Sequence, residues 1–127
     1  MIYEEKTIET IPVGPLGLVP LKSCTELGQK VNDYLVTWRH ERESEHKSTI
    51  AFAGYQRDSY ILKNKPPRFG SGEAKGTIEE SVRGDDLYIM VDVCNHSLTY
   101  SLCGMINHMS PDDHFQDMKR IIATSMA

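Results

Sequence analysis

The sequence lacks the features of a membrane or secreted protein. No apolar run reaches the roughly 18 residues at which a transmembrane helix becomes a candidate. The first residues, Met-Ile-Tyr-Glu-Glu-Lys, have neither the basic start nor the apolar stretch of a signal peptide. Cysteine is scarce as well: Cys24, Cys94 and Cys103 are the only three. An odd, small number without an export signal is typical of reduced thiols, so we expect a cytoplasmic protein with no membrane partner, and each cysteine buried in its structure.

Positive charge shows no surplus either. The formal net charge is -4, with 14 Lys and Arg residues against 18 Asp and Glu residues. Proteins that coat nucleic acid usually carry a basic surplus, so we expect no nucleic-acid partner, although a local basic patch stays open. The 127 residues, 39% hydrophobic and 25% charged, are typical of one globular domain with a modest core.

The first third of the chain predicts an irregular segment followed by a helix. Residues 11–21 contain three prolines and two glycines, a density that a central strand does not tolerate, so we expect at most a short extended stretch at residues 18–21. Ser23 or Thr25 can cap a following helix, and Glu26 stands three residues after Ser23 as in a capping box. Apolar residues then recur at helical spacing and predict a stripe facing the core: Leu27, Val31, Tyr34, Leu35 and Trp38.

The remainder predicts an α/β layer structure. Residues 87–93 are apolar, partly β-branched and bounded by turn residues, which indicates a buried strand. Polar residues at its carboxyl end, including Asp92 and His96, stand where open α/β sheets bind ligands. The other expected segments are a solvated helix end or loop at 39–47, a strand at 49–53, a loop at 54–67, an extended segment at 74–80, a turn at 83–86, and helices at 98–109 and 114–123.

Two polar groups allow more than one interpretation. The cysteines and histidines between Cys94 and His114 could suggest zinc, but their spacing matches none of the paired patterns of structural zinc sites. Asp112, Asp113 and Asp117 could suggest a cation site, although beside Ser110-Pro111 they are typical of a helix start.

Two linked motifs carry a family resemblance. The first is Arg68-Phe69-Gly70-Ser71-Gly72-Glu73, and the second runs Ile78-Glu79-Glu80-Ser81-Val82-Arg83-Gly84-Asp85-Asp86-Leu87-Tyr88-Ile89. Together they resemble the N-terminal domain of ribose-phosphate pyrophosphokinases, which reads Arg-Phe-x-Asp-Gly-Glu, then Glu-Glu-Ser-Val-Arg-Gly, a turn and an apolar strand. The likeness is strong over residues 68–91 and weak over residues 23–34, and residues 40–67 look like an insertion.

The resemblance implies a fold and an activity. The fold is the N-terminal domain of the phosphoribosyltransferase-like α/β fold, three-layer α/β/α, expected here as a single, incomplete domain over residues 1–127 with the second domain absent. The activity is that of a ribose-phosphate diphosphokinase, a transferase of nucleotide biosynthesis that moves the diphosphoryl group of ATP to ribose 5-phosphate with Mg²⁺. The family also implies a homo-oligomer.

The resemblance assigns residues to two binding sites. For ATP, Phe69 would stack on the adenine of a neighbouring subunit and Glu73 would accept from its exocyclic amine, while Ser71 replaces the family's aspartate. For a regulatory phosphate or ADP, the residues would be Ser81 and Arg83. An arginine fork beside a hydroxyl suits phosphate. The alternative is that Arg83 only caps a turn or pairs with Glu79 or Asp85.

Several of the family's groups have no counterpart in these residues. The pyrophosphate-side Arg-Gln-Asp segment, the metal-coordinating histidine, the catalytic Lys and Arg loop and the ribose 5-phosphate loop are missing. We therefore expect no catalytic and no metal-binding residue here, and no catalysis by this chain alone. The chain is then either part of the enzyme or a non-catalytic regulatory or assembly module related to it, and Ser71 with the insertion mildly favours the second. A small metal-binding domain ranks last.

Overall fold

The computed structural model describes residues 14–45, 57–65 and 75–126. Along the chain, β1 (Leu16–Pro20) leads through a 3-10 turn (Lys22–Cys24) into α1 (Thr25–Ser44). The short strands β2 (Asn64–Lys65) and β3 (Thr77–Ile78) follow, and then β4 (Asp86–Met90), β5 (Thr99–Leu102), β6 (Met105–His108) and α2 (Pro111–Met126). Over these ranges, no helix combines the length and apolar character needed to cross a membrane.

β1 is the centre of the fold. It pairs in parallel with β4, from Leu16 opposite Asp86 to Pro20 opposite Met90. On its other side the chain at residues 60–62 runs parallel to it, since Leu18 N donates to Tyr60 O at 2.7 Å and Leu62 N donates to Leu18 O at 2.8 Å.

Two expectations were therefore wrong. Residues 16–20 form a fully buried strand instead of an irregular segment, because Pro15 and Pro20 stand just before and at the end of β1, where a missing N–H costs least. Residues 60–62, expected as loop, are extended in the core: Tyr60 and Leu62 are among the most deeply buried side chains.

The two faces of β1 bury different sets of side chains, because successive residues of a strand point to opposite faces. On one face α2 contributes Ile121 to a cluster with Val19, Leu21 and Leu62. On the other, residues of α1 pack against the cluster of Leu16, Leu18 and Tyr60. A sheet with one helix on each face confirms the α/β prediction. The assignment to the phosphoribosyltransferase-like fold stays a prediction.

α1 packs on the sheet through its small and polar residues. Gly28 lies against Pro20, so close that a Cβ at Gly28 would stand 2.5 Å from the proline Cβ. One turn on, the buried Asn32 accepts a 2.7 Å hydrogen bond from Tyr60 N through Oδ1. This close approach turns much of the expected core stripe outward, so that prediction was wrong for three residues: Leu27 is 54%, Tyr34 62% and Trp38 56% exposed.

The N-terminus of α1 also differs from the expected capping box. The helix begins at Thr25, and neither Cys24 nor Leu21 caps a turn with its side chain. Ser23 instead accepts a hydrogen bond from Asp92 N at 2.9 Å, which ties the start of the helix to the chain after β4. Thr25 donates to Lys22 O at 3.2 Å.

β4 confirms the expected turn and a strand over residues 87–90, but the strand is only partly buried and does not extend to residue 93. The helix expected at 98–109 is a hairpin. β5 and β6 pair in antiparallel fashion, with Thr99 opposite His108 and Leu102 opposite Met105. The turn between them has φ of 52° at Cys103 and 76° at Gly104. Two successive positive φ angles match the twist of a tight hairpin, and at position 104 glycine adopts this conformation at little cost.

α2 confirms the last expected helix and extends it at both ends. Ser110 and Asp113 cap each other: Ser110 N donates to Asp113 Oδ2 at 2.9 Å, and Asp113 N donates to Ser110 Oγ at 3.1 Å. Pro111 begins the helix, where its missing N–H has no intrahelical partner to lose. The helix-start interpretation thus holds for Asp113, whereas Asp117 lies in the helix interior and is buried.

Candidate functional site

The predicted phosphate residues lie at a cavity of about 740 Å³ between the β3–β4 connection and the C-terminal end of α2. Ser81 and Arg83 both line it, and both side chains are exposed. The other lining residues are Ile78, Glu80, Val82, Gly84, Asp85, Leu87, Thr124, Ser125 and Met126. Residues 80–85 thus form one wall of the cavity, and this wall contains the two predicted phosphate-binding residues.

The turn that contains Arg83 is stabilised by a backbone hydrogen bond and by a contact with the core. Asp85 N donates to Val82 O at 3.0 Å, closing the turn, and Val82 packs against the core cluster of Val19 and Ile121. Gly84 has φ of 78°, a conformation that glycine adopts at least cost. Gly14 lies directly against the carbonyl of Gly84, leaving no room for a side chain there.

An ion pair anchors the far end of the turn. Arg57 Nη2 lies 3.5 Å from Asp85 Oδ2, and the Asp85 side chain is only 6% exposed. Next to it, Asp86 N donates to Pro15 O at 2.8 Å. Asp85 therefore pairs with Arg57, and no ion pair joins it to Arg83 among the described residues.

Arg83 forms no ion pair within the three described ranges. Its guanidinium is therefore the cation that the cavity offers to a ligand. Glu80 adds a carboxylate to the same wall as Arg83. The opposite wall is the C-terminal end of α2, which carries partial negative charge and is therefore less favourable to anions. Both hydroxyl groups on the α2 wall already donate hydrogen bonds to backbone carbonyls: Thr124 donates to Gly76 O at 2.9 Å, and Ser125 donates to Ile122 O at 2.7 Å. The cavity thus presents one arginine without an ion pair among the described residues, beside the carboxylate of Glu80.

The predicted ATP loop cannot be placed. Phe69, Ser71 and Glu73 all lie outside the described residues. The prediction that they bind adenine stays a prediction. The same holds for the strand expected at 49–53.

The polar residues after β4 organise loops. Asp92 Oδ1 accepts from Cys94 N at 3.0 Å, and Asn95 Oδ1 accepts from Ser97 N at 3.0 Å. The buried His114 joins α2 to this loop through a 2.6 Å hydrogen bond from its Nε2 to Asn95 O. No group of three or more metal-ligating side chains is close enough for a metal site in the part of the chain that the structure describes.

The cysteines do not share one environment. Cys24 is buried, as expected, and burial raises the pKa of its thiol, with a smaller contribution from the carboxylate of Asp92. Cys94 and Cys103 are exposed, so the expectation of buried thiols was wrong for them. Both stand in polar turns, where the chain reverses over solvent.

Two residues of the site were missed by the sequence. Arg57 was assigned to a polar loop, and Gly14 to an irregular segment. No local signal marks either of them, because each acts through a contact with the distant turn at residues 82–85. Only the fold brings these segments together.

The fold and the cavity define an α/β domain whose β3–β4 turn presents one arginine to a concave surface. Residues 16–126 match the family model of the N-terminal domain of ribose phosphate pyrophosphokinase. The match covers most of the 127 residues, and the chain belongs to this family. Searches of curated proteins and of solved structures found no significant match. The family is one of ATP-using transferases, which suggests ATP, ribose 5-phosphate and Mg²⁺ for its complete enzymes.

Proposed function

We propose that this chain is the N-terminal part of a ribose-phosphate diphosphokinase, which transfers the diphosphoryl group of ATP to ribose 5-phosphate. Family membership over residues 16–126 supports this proposal. In it, the loop with Phe69, Ser71 and Glu73 serves ATP, and Ser81 with Arg83 serves a regulatory phosphate or ADP. The protein acts in the cytoplasm as a homo-oligomer.

The observation that carries the phosphate site is the position of Arg83. Its side chain is exposed on a cavity, on a turn fixed by Gly14, Val82 and the Arg57–Asp85 pair. Because the backbone of the turn is already ordered, binding a phosphate costs mainly the rotamer freedom of the arginine side chain. The opposing wall lacks a second cation among its described residues, which supports a site completed by another protein copy.

Phosphoryl transfer itself needs more than this chain offers. It depends on positioning and on neutralising charge with cations and metal ions. The described residues provide no cluster that fits Mg²⁺. This chain's own role is to bind and orient phosphate-bearing ligands.

An assay of the protein encoded by the complete reading frame tests the proposal. With ATP, ribose 5-phosphate, Mg²⁺ and inorganic phosphate, we expect phosphoribosyl pyrophosphate and AMP in equal amounts. Arg83→Gln is expected to retain activity at saturating substrate but to lose most of the response to phosphate. A protein that binds both substrates yet forms no product would contradict the enzyme assignment.

A second candidate is a non-catalytic regulatory or assembly module related to the synthetase. Ser71, which stands where the family has aspartate, favours it, because a hydroxyl is shorter and uncharged. This candidate predicts that the complete protein makes no product alone but changes the activity of an active synthetase mixed with it. Ser71→Asp separates the two: it should strengthen ATP binding in an enzyme and leave a module unaffected.

A further inference from the structure

The last two turns of α2 lie against the residue that precedes β3. Thr124 Oγ1 donates a 2.9 Å hydrogen bond to Gly76 O, which is 48 positions away in the chain. One turn earlier on the helix, the backbone of Arg120 contacts the same glycine so closely that a Cβ at position 76 would stand 2.6 Å from Arg120 O. Gly76 is therefore held to α2 by a close backbone approach and by the Thr124 side chain.

The hydroxyl of Thr124 does not bond within its own helix. A helical threonine can donate to a carbonyl one turn earlier, as Thr37 of α1 does by donating to Asp33 O at 2.9 Å. Ser125, the next residue of α2, also donates within its helix, to Ile122 O. Thr124 instead donates to a separate segment of the chain, so its hydroxyl connects two elements.

β2 and β3 enclose the part of the sequence that holds the predicted ATP residues. The two strands pair in antiparallel fashion, and residues 66–76 connect them along the chain. Gly76 is the last residue of this connection, three positions after Glu73. The contact with α2 therefore fixes the backbone at the point where the connection enters β3.

Separate contacts hold the chain on the other side of β3. Ile78 packs against the core, and Glu79 N donates to Lys63 O at 3.0 Å. Both contacts lie between Gly76 and the turn that contains Arg83. Loss of the hydrogen bond from α2 should therefore affect the connection before β3 more than it affects that turn.

We propose that Thr124 is a positioning residue for ATP binding, because its hydroxyl fixes Gly76 and thereby the end of the segment that holds Phe69 and Glu73. This inference rests on the proposed function, since it requires that segment to bind ATP. When only part of a population has the binding-competent arrangement, the apparent affinity falls in proportion to that fraction. Loss of one hydrogen bond of ordinary strength shifts such an equilibrium by about threefold to tenfold.

Steady-state kinetics of the protein encoded by the complete reading frame test the inference. Thr124→Val keeps the branched shape of the side chain and removes its hydroxyl. We expect the KM for ATP to rise by about threefold to tenfold, while kcat and the KM for ribose 5-phosphate stay unchanged. Thr124→Ser retains the hydroxyl and should keep the KM of the parent. A general loss of stability would not raise the KM for ATP alone.

Two further variants sharpen the comparison. Thr37→Val is the matched control, because it makes the same change in a helix but removes a hydrogen bond within α1. It should leave the KM for ATP unchanged. Gly76→Ala places a Cβ against Arg120 O and separates the two segments by a different route. It should raise the KM for ATP at least as much as Thr124→Val does.

Limited trypsin digestion of the 127-residue chain measures the same contact without catalysis. Lys75 is exposed and immediately precedes Gly76, so cleavage after Lys75 reports opening of the chain at this point. Cleavage there should be about threefold to tenfold faster in Thr124→Val than in the parent. Thr124→Ser and Thr37→Val should be cleaved at the rate of the parent.

The outcomes separate this inference from the proposed function. A Thr124→Val protein with the KM of the parent for ATP, or with unchanged cleavage after Lys75, would overturn the positioning role and leave the enzyme assignment standing. An equal rise of the KM in Thr37→Val would overturn it as well. A parent protein that forms no product from ATP and ribose 5-phosphate would overturn both.

Discussion

The environments of the three cysteines predict different reactivities. The thiolate is the reactive form of cysteine, and burial keeps the Cys24 thiol protonated by raising its pKa. Cys94 and Cys103 are exposed. Iodoacetamide at neutral pH should therefore modify these two before Cys24, as read by mass spectrometry of digests over time. Cys24 reacting as fast as the others in folded protein would show that the contact between α1 and β1 opens readily.

Tyr60 predicts a loss of stability at alkaline pH. Burial is the largest cause of its raised pKa, while Arg39 acts in the opposite direction. Below the tyrosine's ordinary pKa of about 10, both folded and unfolded states keep the proton. Above it the unfolded state releases the proton first, so the free energy of unfolding falls as pH rises toward the higher, folded-state pKa.

Tyr60→Phe should flatten this dependence. Urea unfolding at several pH values from 8 to 11 measures it, with Tyr88→Phe as the control, because Tyr88 is 55% exposed. The Tyr60 variant should lose less stability between neutral and alkaline pH than the parent, and the Tyr88 variant should match the parent. Identical slopes for all three proteins would contradict the buried position of Tyr60.

At the scale of the helix, Gly28 determines how closely α1 approaches the sheet. Gly28→Ala gains roughly 1 kcal/mol in helix propensity but forces a Cβ to 2.5 Å from that of Pro20. We expect the overlap to dominate and the free energy of unfolding to fall by about 1–3 kcal/mol. Urea unfolding followed by circular dichroism measures it, and Lys30→Ala on the exposed side of the same helix should change stability little. A more stable Gly28→Ala protein would show that the helix shifts without cost.

The elements that the sequence predicted correctly are those whose signals are local. The turn before β4, the strand itself and the Ser110–Asp113 cap all lie within a few residues of the features that predict them. The β5–β6 hairpin was not predicted, because Leu102, Met105 and Ile106 also fit a helical period. Gly104, which lies in the hairpin turn, was not taken as evidence against that helix. Periodicity over so short a segment does not separate the two structures.

α1 shows a different limit of sequence reasoning. Its aromatic stripe correctly indicated an amphipathic helix. It did not correctly indicate which side of the helix faces the core. The buried side consists of Gly28, Asn32 and neighbours, and a glycine and an amide carry no hydrophobic signal. Asn32 is buried because it satisfies the Tyr60 N–H, a partner 28 positions away.

For the whole molecule, the family assignment came from the two motifs at residues 68–73 and 78–89, and the match over residues 16–126 confirms it. Ser81 and Arg83 line a cavity, and their role in phosphate binding stays a prediction. The support of that cavity by Arg57 and Gly14 depends on contacts between distant segments, which no local pattern encodes. The residue types indicated the kind of ligand to expect, whereas the positions of the supporting segments followed only from the folded structure.

The turn at residues 81–85 is the phosphate-binding surface that the proposed function requires most. Titration of ¹⁵N-labelled chain with inorganic phosphate, against chloride at equal ionic strength, tests it by amide shifts in two-dimensional NMR. We predict saturable shifts centred on Ser81 to Asp85 that Arg83→Gln abolishes and that Arg42→Gln, a change of the same type on α1, leaves in place. Shifts scattered over the surface, or a response at the turn that Arg83→Gln does not alter, would contradict the account.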